Sequence, residues 1–124
     1  MTDAVLNADT NPFSVQQHFH GRSPAVREIY DAVVSASRQF GPVIEDPKKT
    51  SIHLNNRTAF AGVATRRDFM ILTIKSKHDI MSPRIFKREQ ASANRWHLEV
   101  KLLKPDEVDS ELTGWLREAY DLSV

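Results

Sequence analysis

The hydrophobic period of this chain changes twice. Val26, Ile29, Tyr30, Val33 and Phe40 recur at helical spacing, with Arg27, Glu28, Asp31 and Arg38 mostly on the other side. Ser23-Pro24 ahead of them sets a hydroxyl N-cap before a proline at the first helical position, and Gly41-Pro42 stops the run. From Val43 to Leu103 the period is two, which predicts strands at 43–46, 51–55, 59–65, 69–77, 84–90 and 95–103. Helical spacing then returns. Asp109 is a suitable N-cap, Glu111 favours the first turn, and Leu112, Trp115, Leu116 and Ala119 share a stripe, predicting a helix over 109–121. A short turn precedes the first helix, with Ser14 and Gln17 as an S-x-x-Q capping box and Gly21 as its stop. The polar residues 1–12 read as a disordered leader, leaving 13–124 as a single domain.

The spacers between strands fix trial registers. Three-residue loops at 56–58 and 66–68 place Asn55 opposite Ala59, Leu54 opposite Phe60 and His53 opposite Ala61. They also place Ala61 opposite Thr73, Phe60 opposite Ile74 and Gly62 opposite Leu72. Together they give one apolar face (Ile52, Leu54, Phe60, Met70, Leu72, Ile74) and one mixed face (Ser51, His53, Asn55, Ala59, Ala61, Thr73, Lys75). The last strand adds Trp96, Leu98, Val100 and Leu102 to the first, and Arg95, His97, Glu99 and Lys101 to the second. Two amphipathic helices need a surface to cover, and the apolar sheet face supplies it. The predicted fold is an α+β two-layer sandwich: an antiparallel meander of five or six strands with both helices packed on one face. Strand order, and the side to which residues 84–90 face, stay open.

Composition narrows the chemistry. With no cysteine the chain has no disulfide, thiolate metal site or cysteine nucleophile. No stretch approaches the roughly 20 apolar residues of a membrane span, and the N-terminus lacks a secretory pattern, so a cytoplasmic location is expected. The net charge of +1 hides an uneven distribution: −3 over residues 1–47, +9 over 48–104 and −5 over 105–124. Folded as above, this makes an acidic helical layer and a basic open sheet face.

Several blocks in order carry a likeness. His18-Phe19-x-Gly21-x-Ser23-Pro24, Pro47-Lys48-Lys49-Thr50-Ser51-Ile52-His53-Leu54, Ala59-Phe60-Ala61-Gly62-Val63, Ser82-Pro83-Arg84 and Trp115-Leu116-x-x-Ala119-Tyr120 resemble an uncharacterised bacterial family, a domain of unknown function. Some of its members carry the label "predicted transport protein". The likeness spans residues ~14 to ~122. It implies a small cytoplasmic α+β domain, alone or appended to other modules, and no established activity.

The candidate chemistry is sparse. His18 and His20 lie two apart, on different sides of a helical turn, and His53 and His97 on the open face have no carboxylate cluster, so neither metal nor cofactor is expected. His97 can pair with Glu89 or a neighbour across the 84–90/95–103 hairpin. Lys48-Lys49-Thr50-Ser51 suits an anion, and better suits a solvated turn. The basic middle makes nucleic acid a possible partner, without a base-reading motif.

The reading that follows is a non-enzymatic binding module. Its open basic face would hold an acidic ligand or protein partner through Lys49, Ser51, His53, Thr73, Lys75, Arg95, His97 and Lys101. A homodimer covering that face, helped by Val63, Phe69 and Ile71, is a further possibility. The alternative is a small enzyme acting on an anionic substrate, with His53 as acid–base group and Lys49 as clamp.

Overall fold

A computed structural model describes residues 11–124. The expected leader therefore lies largely outside the described residues. At its last positions the chain is already tied down, since the Asn11 side-chain amide donates to the Pro47 carbonyl at 3.2 Å. Ser14 and Gln17 exchange hydrogen bonds as a capping box (2.9 and 3.2 Å) at the start of a 3-10 turn, Gln16–Phe19. Gly21, with φ of +73°, ends that segment.

Helix α1 (Pro24–Arg38) begins at the predicted proline, but the Ser23 hydroxyl makes no capping bond. The Ser23 amide instead donates to the Arg67 carbonyl at 2.8 Å, tying the helix start to the sheet. Six antiparallel strands follow: β1 (Ile44–Pro47), β2 (Ile52–Asn55), β3 (Ala59–Thr65), β4 (Met70–Ser76), β5 (Ile85–Ser92) and β6 (Arg95–Leu102). Helix α2 (Ser110–Asp121) closes the fold, and the Asp109 carboxylate accepts from the Leu112 amide at 3.0 Å. The α+β order of helix, sheet and helix is as the sequence predicts. No helix among the described residues is long and apolar enough to cross a membrane.

The sheet order is β1-β2-β3-β4-β6-β5. Four strands run as a meander; the β5–β6 hairpin then docks by its second strand, leaving β5 outermost. Burial explains the choice. Leu98, Val100 and Leu102 of β6 are buried under the helices, whereas β5 buries only Ile85 and leaves Phe86 55% exposed. A strand that buries one residue belongs at the edge.

Arg84 fixes the crossover into β5. Its guanidinium reaches Asp109 (2.9 and 3.1 Å), Glu111 (3.0 Å) and the Glu107 carbonyl (2.7 Å), with the Trp115 ring 5.7 Å away. One planar fork thus joins the crossover to the start of α2.

The helices bury Val26, Ile29, Tyr30, Val33, Leu112, Leu116 and Ala119 against Ile52, Leu54, Phe60, Met70, Leu72 and Ile74. Two details of register differ from expectation. Asn55 does oppose Ala59, but Leu54 then opposes Ala61, so Phe60 is an extra residue in a β-bulge. The β3–β4 connection is a two-residue turn, Arg67-Asp68, with the Arg66 amide donating to the Phe69 carbonyl at 2.9 Å. The shifts cancel: His53 still aligns with Thr73 and Leu54 with Ile74, now through Gly62 and Ala61. β2 and β4 keep their predicted faces. β3 beyond Phe60 turns over, so Ala61 and Val63 face the core instead of the open side.

Gly41 has φ of +153°, and a Cβ there would lie 2.5 Å from the Tyr120 hydroxyl oxygen. That ring is wedged between Phe40 and Phe60, and its hydroxyl donates to the Pro42 carbonyl at 2.8 Å. Gly41→Ala is expected to cost about 2–3 kcal/mol in urea unfolding; a loss below ~0.5 kcal/mol would show that the ring moves aside freely. The Asp109 carboxyl is held below the usual range, first by the Leu112 amide and then by Arg84. A lowered value stabilises the fold above the ordinary aspartate range and loses that contribution as pH falls through the folded value. Asp109→Ala should thus cost about 1–2 kcal/mol at neutral pH, and the gap to the native chain should narrow under acid. A gap constant from pH 7 to pH 3 would count against the account.

Candidate functional site

The sheet face away from the helices is built from alternate residues of β2, β3, β4 and β6. Across it run two rows fixed by register: Asp46, His53, Gly62, Thr73, Glu99 and Lys87 in one, Lys75, His97 and Glu89 in the other. Adjacent strands lie about 4.8 Å apart, so His53 and Thr73 stand roughly 10 Å apart with Gly62 between them.

Between these side chains lies a depression of ≈ 460 Å³, its walls including Ser51, His53, Thr73, Lys75 and His97, and its floor Ala59, Gly62 and Ala64. The bulge at Phe60 makes this floor. In an unbroken strand Gly62 and Ala64 would face the core, and Ala61 and Val63 would face out, with Ala61 between His53 and Thr73. The extra residue sends Val63 inward and leaves the smallest side chains facing out. A Cβ at Gly62 would meet nothing within 4 Å, and its φ is not in the left-handed region. Neither backbone nor crowding demands glycine here, and glycine in a strand costs about 0.5–1 kcal/mol against alanine. A bare position of this kind marks a place where another group can approach the backbone closely.

The electrostatics centre on Lys75. Burial, and then the neighbouring Arg95 charge, hold its ammonium below the ordinary lysine range; no carboxylate among the described residues offsets them. Several other cations of the basic middle are answered by acids. Lys48 pairs with Asp46 (2.9 Å), Lys87 with Glu99 (3.8 Å) and Arg88 with Asp79 (2.8 Å). His97 stands 4.0 Å from Glu89 across the β5–β6 ladder, the partner expected from the hairpin. Asn55, beside the bulge, keeps its Oδ1 buried with no partner among the described residues.

Five of the residues singled out from sequence, Ser51, His53, Thr73, Lys75 and His97, thus share one depression, while Lys49, Arg95 and Lys101 do not line it. Lys49 is exposed in the β1–β2 turn. Arg95 opens β6 and donates to the Asn94 carbonyl at 2.7 Å, acting on the site only through its charge. Lys101 stands over the Phe69 ring, 4.3 Å from its centroid. The Lys48–Ser51 segment is a closed turn: the Lys48 amide donates to the Ser51 carbonyl at 2.7 Å, and the Lys48 carbonyl lies 2.7 Å from a His18 ring nitrogen. No group of three His, Asp or Glu side chains placed to hold a metal occurs among the described residues.

Gly62 and Ala64 are the site residues that sequence reasoning missed. A signal existed. Phe60 and Val63 both suit the core but stand three apart, which a strict period of two cannot satisfy and a bulge can.

No curated protein and no solved structure matches this chain. A family model does, over residues 15–123, from the N-terminal turn through the last helix. That span takes in the blocks on which the family likeness rests, and the chain belongs to the domain of unknown function DUF5655.

Proposed function

We propose that this domain is a small non-enzymatic binding module of the bacterial cytoplasm, holding an acidic ligand on its open sheet face. One observation carries the reading: Lys75 brings a cation to a depression ringed by hydroxyl and imidazole groups, and no carboxylate among the described residues offsets it. A carboxylate or phosphate group arriving there would supply the missing counter-charge, with Ser51 and Thr73 as donors and His53 and His97 as orienting rings.

The enzymatic alternative asked His53 and Lys49 to act together, yet Lys49 does not line the depression. The carboxylate opposite His53 belongs to Asp46, which is closed on Lys48. A nucleic-acid reading needs a continuous basic track. Here Arg57 and the Arg66-Arg67 pair occupy loops at opposite ends of β3, and Arg84, Lys87 and Arg88 are spent on acids. Self-association through this face has less apolar surface to use, because Val63 lies in the core.

Lys75 yields a test with two opposite signs. A lysine with a lowered folded value binds fewer protons folded than unfolded between that value and its ordinary one. Stability therefore rises with pH in that window, and below it the charge burdens the fold in full. Lys75→Met should raise the Tm of the ligand-free protein at neutral pH. The same variant should weaken binding of acetate or inorganic phosphate, followed by amide shifts at His53 and Thr73, by about tenfold. Binding to the native chain should weaken as sodium chloride rises. A lower Tm in Lys75→Met, with anion shifts unchanged, would make the lysine structural and overturn the proposal.

A further inference from the structure

We infer, resting on the anion-binding reading above, that the ligand is a flat amphiphile with a single anionic group: a planar ring over Gly62 and Ala64, its carboxylate or phosphate at Lys75. The floor argues for the ring. Ala59, Gly62 and Ala64 present methyl groups and bare backbone, and space above Gly62 is open to at least 4 Å. Gly62 and Ala64 lie about 6.6 Å apart along one strand face, close to the span of one or two fused aromatic rings. The depression, at ≈ 460 Å³, falls within the roughly 300–1,000 Å³ of small-ligand sites.

The arrangement of charge argues for one negative group at one end. Lys75 stands beside His97 on the row nearest Ala59, whereas the row through Gly62 and Thr73 carries Glu99 on one side and Asp46 on the other. A ligand with anionic groups at both ends would set one of them against these carboxylates. An uncharged ring over Gly62, with its head toward Lys75, meets neither. Ile71, opposite Ala64, extends the apolar end away from the cation.

Four probes and two substitutions separate the parts of this inference: 2-naphthoate, 2-naphthyl phosphate, neutral 2-naphthamide and inorganic phosphate, each titrated by amide shifts at Gly62, Thr73 and Lys75. A naphthyl anion is expected to bind at least tenfold more tightly than inorganic phosphate or naphthamide, and the tighter of the two anions identifies the head group. A Cβ at position 62 meets nothing within 4 Å and a branched residue suits a strand, so Gly62→Val should fill the floor and abolish naphthyl binding while inorganic phosphate changes less than twofold. Ala64→Leu supplies the same obstruction by a second route. Lys75→Met should reduce naphthoate to the level of naphthamide. Inorganic phosphate binding as tightly as naphthoate, or naphthoate indifferent to both Gly62→Val and Ala64→Leu, would overturn the planar-ring inference and leave the anion site standing. Naphthamide equal to naphthoate would instead remove the anion site, and no shift with any probe would remove both.

Discussion

Phe60 and Val63 cannot share a face of a regular strand, and the structure is arranged around that conflict. Both are large, both suit the core, and an odd separation sends them to opposite sides. The bulge at Phe60 inserts one residue, so that Phe60, Ala61, Val63 and Thr65 are all buried. Its other product is the outward turn of Gly62 and Ala64. One local irregularity therefore completes the hydrophobic layer beneath the sheet and empties the face above it. Bulges commonly re-aim side chains beside binding sites, and here the re-aimed residues are conspicuous for having almost no side chain.

The rest of the fold keeps that irregularity from spreading. The two-residue turn at Arg67-Asp68 removes the offset that the bulge adds, so β4 resumes the alignment that β2 would have imposed on it. Met70, Leu72 and Ile74 then meet the helices, and Thr73 and Lys75 meet the open face. Helix α2 packs over β3 and β4, near the bulge, where Tyr120 lies edge-on to Phe60 at 5.2 Å. β5 depends on its ladder with β6 and on Arg84, with little helix beneath it. Opening of the molecule should thus be cheapest at that outer edge, distant from the floor of the depression.

Much of this could be read from the residues. The helices announced themselves through caps and stripes, with the aspartate at 109 performing as expected and the serine at 23 replaced by a backbone tie. β2, β4 and β6 obey strict alternation, which is why Ser51, His53, Thr73, Lys75 and His97 could be placed on one face without coordinates. β3 broke the rule because a bulge leaves no mark of its own; only the spacing of Phe60 and Val63 betrays it. Strand order was hidden for a different reason. Pairing β6 rather than β5 with β4 depends on which strand has more apolar surface to bury, and on Arg84 meeting acids 25 and 27 residues away. Lys49, Arg95 and Lys101 had the right charge and the wrong place, since composition reports a face's sign and not which side chains converge.

The open face departs from what stability alone would select at two adjoining positions. Gly62 occupies an interior strand, with ordinary backbone and open space above it, where alanine would be better by about 0.5–1 kcal/mol and a β-branched residue would suit the sheet better still. Lys75 lies diagonally across the ladder, its charge made less favourable by burial and by Arg95, and the residue opposite it is His97 rather than an acid. Either departure alone could be incidental. Together, on the one face the helices leave bare and around one depression, they form the local inconsistency that binding sites impose on otherwise consistent sequences. A face with only solubility to serve would do better with threonine or valine at position 62 and a glutamate opposite Lys75; this one has neither.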